Sequence, residues 1–151
     1  MRKDILMSPP EIMQGGLVGL MRRVGTMKNG ERDRSAPHSS WSTEIDAAIG
    51  EMAVSKYLGL YWRGHRGRED DVLDGREVRT TIYETGKLVI RRRDLEKHPN
   101  SFFVLVVAKP PIYSIRGEFL CADAKQDCYY DPEPKEGEPA WWVPQSDLAE
   151  L

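Results

Sequence analysis

The sequence predicts an α+β fold, a single mixed β-sheet flanked by helices, in one compact domain. Three observations predict it. Two helical patterns come first, near residues 8–24 and 43–58, and extended segments dominate after Trp62. Phe102-Phe103-Val104-Leu105-Val106-Val107 is a continuous apolar run, the mark of a central strand buried on both faces. Helices grouped ahead of strands, with no internal repeat, give an α+β arrangement rather than alternating βα units. At 151 residues the chain suits one domain with a real hydrophobic core.

Ser8-Pro9-Pro10-Glu11 opens the first helix. Ser8 caps it, Pro9 suits the first helical position, and Glu11 completes a capping box. The helix is expected to run to Val24 and stop at Gly25. Gly15, Gly16 and Gly19 weaken it, which points to close packing against another element. Thr26–Ser40 is polar without an apolar period, so residues 1–40 read as a helix and a mobile arm ahead of a core at 41–151. A second helix is expected from Thr43, with Asp46 at capping-box spacing, to Leu58-Gly59. At about 100° per residue Glu44 and Glu51 fall on one line. Glu44 lies in the first turn, where an acid suits the helix dipole. Glu51 falls within the apolar arc, where a carboxylate needs a cation or donor.

The expected strands are Asp71–Leu73, Glu77–Tyr83, Lys87–Arg93, Phe102–Ala108, Tyr113–Cys121 and Trp141–Val143. Pro110-Pro111 marks a turn, and Asp123–Tyr130 a short helix. Asp74-Gly75 is a hairpin signal. A two-residue turn would group Asp70, Val72, Glu77 and Arg79 on one face. A three-residue loop, Leu73-Asp74-Gly75, sets Asp71 across from Glu77 and leaves Val72 and Val78 together for the core. The second register separates polar from apolar side chains and is preferred. It puts Asp71, Glu77 and Arg79 on one surface, with opposed Cβ atoms about 5 Å apart. Adjacent carboxylates repel unless a cation lies between them. Arg79 or a hard divalent ion would serve, and Mg²⁺ takes one or two carboxylates and completes its shell with water and phosphate.

A formal net charge of -2 excludes a global positive field, so any nucleic-acid binding must come from local patches. Basic residues cluster at Arg22, Arg23, Lys28, Arg32 and Arg34, at Arg63, Arg66 and Arg68, and at Arg91, Arg92 and Arg93. Strand alternation would put Arg91 and Arg93 on one face and Arg92 on the other, unless the strand has ended. Cys121 and Cys128 are too few for a structural zinc site and are not spaced as a redox pair. No segment approaches the ~20 apolar residues of a membrane span. The expected location is cytoplasmic, and the expected partners include no membrane.

With these residues in view, the sequence resembles the PD-(D/E)XK nuclease superfamily. Glu51 matches its helix acid, Asp71 its strand acid, and Glu77-Val78-Arg79 its Glu-x-Lys. Gly50-Glu51-Met52-Ala53-Val54, Tyr57-Leu58-Gly59-Leu60-Tyr61-Trp62, Glu77-Val78-Arg79-Thr80-Thr81 and Trp141-Trp142-Val143-Pro144-Gln145-Ser146 are similar to small uncharacterised bacteriophage proteins of that type. The likeness spans residues 8–151. It implies a restriction-endonuclease-like α-β-β-β-α-β core with an extra N-terminal helix. The implied activity is metal-dependent hydrolysis of DNA, in a bacterial host if the chain is phage-encoded. Asp71, Glu77 and Glu51 would hold Mg²⁺ or Mn²⁺, and Arg79 would contact the scissile phosphate. Arg63, Arg66, Arg68, Arg91 and Arg93 would hold the backbone of DNA, taken as duplex. A second copy of the chain and a phage protein are the further partners implied. Arg79 departs from the family's lysine: it stays protonated and cannot act as a base. Lys87 is the nearest amine on the next strand. Two other functions stand beside nuclease: a catalytically silent nucleic-acid binder of the same fold, and a structural or assembly protein.

Overall fold

The computed structural model describes residues 2–29, 40–64, 71–135 and 137–151, and in it Ser8 opens helix α1 (Pro9–Lys28) as expected. The Ser8 hydroxyl accepts from the Glu11 amide at 3.5 Å, and the Ser8 amide donates to Glu11 Oε2 at 2.7 Å. The helix does not stop at Gly25. Thr26 is buried one residue later, and its hydroxyl donates to the Arg22 carbonyl at 3.1 Å, so packing carries the helix one turn further. Helix α2 (Ser40–Leu58) starts ahead of Thr43 and ends at Gly59, which takes φ +69°. Asp46 is committed elsewhere: Tyr113 Oη donates to its carboxylate at 3.1 Å.

The helices pack closely where glycine permits it. A Cβ on Gly15 would lie 2.6 Å from Ile49 Cγ1, and one on Gly19 2.6 Å from Ile45 Cα. No side chain fits between these backbones, which accounts for glycine inside a helix despite its cost of about 1 kcal/mol.

The extended segments form two sheets, which corrects the expectation of one. The main sheet is mixed, with strands β1 (Lys3–Leu6), β5 (Ile112–Leu120), β4 (Phe102–Lys109) and β2 (Glu77–Thr81) side by side in that order. β2 runs parallel to β4; the other neighbours are antiparallel. The second sheet holds β3 (Leu88–Arg91), β7 (Ala140–Val143) and β6 (Tyr130–Asp131), all antiparallel. β1 has no counterpart in the sequence reading. It is a short edge strand of alternating half-buried and exposed residues, with little apolar signal.

Three further expectations change. Asp71–Leu73 is not a strand, although Val72 donates to the Arg76 carbonyl at 3.1 Å and Gly75 takes φ +89°. That is the three-residue loop register, reduced to a turn. The strand expected over Lys87–Arg93 ends at Arg91, and helix α3 (Arg92–Lys97) follows. Asp94 turns the chain by accepting from the Arg91 amide at 2.8 Å. The short helix expected at Asp123–Tyr130 is two 3-10 turns, Cys121–Ala124 and Asp127–Tyr129.

Central strand β4 divides the core by alternation. Val104, Val106 and Ala108 join Ile49, Met52, Val54, Val72 and Val78 beneath the helices. Phe103 and Leu105 join Leu88, Ile90, Cys121 and Val143 beneath the small sheet. Among the described residues no helix is long and apolar enough to cross a membrane.

Candidate functional site

Alternation along β2 decides where its charged residues go. Val78 enters the helix-side core, so Glu77 and Arg79 face the opposite side, where the Arg79 guanidinium lies 4.8 Å over the Phe103 ring. The α2 helix covers the first side: a Cβ on Gly50 would meet Thr80 Oγ1 of β2 at 2.1 Å. Glu51 and the Glu77 and Arg79 side chains therefore occupy opposite sides of the main sheet.

On the helix side, Glu51 is buried and held by Arg22. Arg22 Nη1 and Nη2 donate to Glu51 Oε1 and Oε2, each at 2.7 Å, and Trp62 Nε1 donates to Oε2 at 3.4 Å. Burial outweighs this pairing, and the charge of Asp71 adds to it, so the Glu51 carboxyl is pushed up to about 7. Asp71 acts on this side too, because its charge reaches both Glu51 and Arg22. Its own Oδ2 accepts from the Val78 amide at 2.8 Å. Glu44 is half-buried in the first turns of α2 and also adds its charge at Arg22.

On the other side, Arg79 Nη2 donates to Asp94 Oδ1 at 2.9 Å and Nη1 to the Val78 carbonyl at 3.3 Å. Glu77 is buried, with His98 Nδ1 3.7 Å from Oε1. The buried Cys121 thiol is pushed up to about 12, by burial first and then by the charge of Asp94. Arg79 is thus a clamp between β2, α3 and an aromatic ring.

The structure brings Glu51 and Asp71 together, and Glu77 and Arg79 together, but it does not join the two pairs. Among the described residues no three of His, Cys, Asp and Glu gather as a metal site. Both oxygens of Glu51 are bonded to a guanidinium, and one oxygen of Asp71 to a backbone amide. These donors do not fit an Mg²⁺ or Mn²⁺ ion held by Asp71, Glu77 and Glu51.

The basic candidates separate in the same way. Arg66, Arg68 and Asp70 lie outside the described residues, whereas Arg63 is exposed after α2. Because β3 ends at Arg91, the Arg91–Arg93 run turns a corner instead of alternating across a strand. Arg91 Nε lies 3.3 Å from Glu138 Oε1. Burial lowers its pKa, and the charges of Arg79 and Arg93 lower it further. The charges of Arg79, Arg91 and Arg93 thus act on one another at the β3–α3 corner, with Asp94 and Glu138 set among them. Arg92 is exposed there and lines a hollow of about 320 Å³ with Tyr130, Glu138, Pro139 and Trp141. Tyr130 and Trp141 pack ring on ring, centroids 5.1 Å apart.

Sequence reasoning missed the partners Arg22 and Asp94. Arg22 carried a signal as one of a basic cluster, but the Glu51 pairing spans 29 residues and no local spacing encodes it. Comparison with protein-family models, with curated proteins and with solved structures returns no match.

Proposed function

We propose that the chain binds nucleic acid without hydrolysing it. The observation that carries this is the β3–α3 corner, where the exposed Arg92 shares a hollow with the tilted ring pair of Tyr130 and Trp141, and Arg91 and Arg93 flank it in sequence. Guanidinium groups beside aromatic faces suit a sugar-phosphate chain with accessible bases. The acids favour binding over cutting, since Glu51 is taken by Arg22 and stands on the far side of the main sheet from Glu77. The succession α2, β2 with Glu-x-Arg, β3, α3, β4 supports a restriction-endonuclease-like scaffold of the PD-(D/E)XK type. It lacks the strand expected at Asp71–Leu73.

Fluorescence anisotropy with labelled single- and double-stranded DNA tests the binding. Affinity is expected to fall with salt, with a log–log slope of about 0.7–0.9 per phosphate contact. Arg92→Glu should weaken binding to every sequence alike. Incubation with plasmid in Mg²⁺, Mn²⁺ or EDTA tests the chemistry. Metal-dependent cutting abolished by Asp71→Ala or Glu77→Ala would overturn the non-hydrolytic assignment.

One observation favours a second function, assembly through α1. Met13, Leu17, Leu20, Val24 and Met27 are all exposed and follow a four-three spacing along the helix. That spacing is the seam of a two-helix coil. The occupant proposed is a second copy packed antiparallel. Antiparallel packing keeps the basic last turns, each holding Lys28, apart and brings each near the partner helix's acidic first turn, which holds Glu11.

A further inference from the structure

The small sheet carries a second concavity, beyond the arginine corner, of about 600 Å³. Its lining includes Tyr83, Lys87, Tyr130, Asp131, Lys135 and Trp142. β3 pairs Val89 with Trp142, so alternation puts Lys87 on the same outer face as the indole. Tyr83, two-thirds exposed, stands at one wall. At the other, Tyr129 is fixed by a hydrogen bond from its hydroxyl to Asp147 at 2.8 Å and by edge contact with Phe119.

Its chemistry is selective. The volume falls within the usual range for small-molecule sites. Four aromatic rings supply faces for a planar group. Lys87 and Lys135 are exposed, and neither has an ion-pair partner among the described residues. Asp131 gives one oxygen to the Glu133 amide at 3.0 Å, leaving the other for an N–H edge. Two ammonium groups against one carboxylate favour an anion, and the rings favour an aromatic one.

The geometry points to a nucleotide-binding site: a base held against Tyr83, Tyr130 and Trp142, with its phosphate at Lys87 and Lys135. A free mononucleotide and one residue of a single strand share this chemistry. Only the single-strand source rests on the proposed nucleic-acid binding. Tyr130 lines both this cavity and the hollow beside Arg92, so a strand would pass from one to the other.

The test is calorimetric titration of the whole chain with adenosine monophosphate, and separately with a single-stranded oligonucleotide. Wild type is compared with Lys87→Ala, Tyr83→Ala and Arg92→Ala, and circular dichroism confirms that each variant is folded. Lys87 and Tyr83 are exposed, so their truncation leaves the core intact. Each is expected to weaken mononucleotide binding about tenfold, the scale of one lost stacking or phosphate contact. Adenosine without phosphate should bind more weakly and lose its sensitivity to Lys87→Ala. The site is overturned if adenosine monophosphate does not bind, or if it binds wild type and both cavity variants alike. Oligonucleotide binding that responds to Arg92→Ala but not to Lys87→Ala or Tyr83→Ala overturns the single strand as the source of this cavity's ligand and leaves the corner standing. Mononucleotide binding lost in Lys87→Ala, with no oligonucleotide binding, supports the cavity and removes the nucleic-acid function.

Discussion

Glu51 is the residue at which local pattern and tertiary structure meet. Its position inside the apolar arc of its helix is legible from spacing alone, and so is its need for a donor. Which donor is not legible, because Arg22 lies 29 residues away on another helix. Removing one partner of such a pair leaves a buried charge, so Glu51→Ala should cost about 3–5 kcal/mol in denaturant unfolding. The pH dependence has a definite sign. A carboxyl raised from 4.5 to about 7 holds its proton more tightly in the folded chain than in the unfolded one. Stability linked to that proton is complete below 4.5 and is lost as pH rises through 7. The melting temperature of wild type should therefore fall relative to Glu51→Gln across this window. Parallel profiles for the two proteins would refute the assignment. Arg79 teaches the converse lesson. Read beside Glu77 it suits a phosphate, yet Asp94 and the Phe103 ring already occupy it.

At the scale of elements, capping chemistry and glycine placement were the most readable signals. The Ser8–Glu11 box starts α1 because all its partners are within four residues. Gly15 and Gly19 announced a close approach, and α2 supplies it. Gly19→Val should separate the helices, since its Cβ would lie 2.7 Å from the Glu44 carbonyl oxygen and 2.6 Å from Ile45 Cα. A loss of about 1–3 kcal/mol is expected on thermal or chemical unfolding, the scale of an overpacked contact. An unchanged melting temperature would show that the helices do not meet there. The β3–α3 boundary was less readable. Leu88–Arg93 has strand character, and only the Asp94 carboxylate, by capping Arg91 and binding Arg79, converts its end into a helix.

For the molecule as a whole, dividing the strands between two sheets determines the chemistry. With one sheet, Asp71, Glu77 and Arg79 would share a surface. With two, β2 is covered on both sides, and its acid Glu77 and the helix acid Glu51 are kept apart. The open surfaces lie elsewhere, on the outer face of the small sheet and along α1. The α1 seam sets an expectation for the whole particle. Sedimentation should show a concentration-dependent dimer, and Leu17→Lys with Val24→Lys should make it monomeric without loss of helix content. A monomer at all concentrations would leave the seam without its proposed occupant.

The sequence by itself determined the α+β class, both long helices, the central strand, the Asp74-Gly75 turn and the parity of Val72 and Val78. Each rests on periodicity or on contacts between residues close in the chain. Tertiary structure alone decided how the strands divide between sheets, which cation meets Glu51, and which side of the main sheet each acid faces. Those outcomes depend on contacts between distant segments, where burial and ion pairing select among arrangements that local pattern leaves equal.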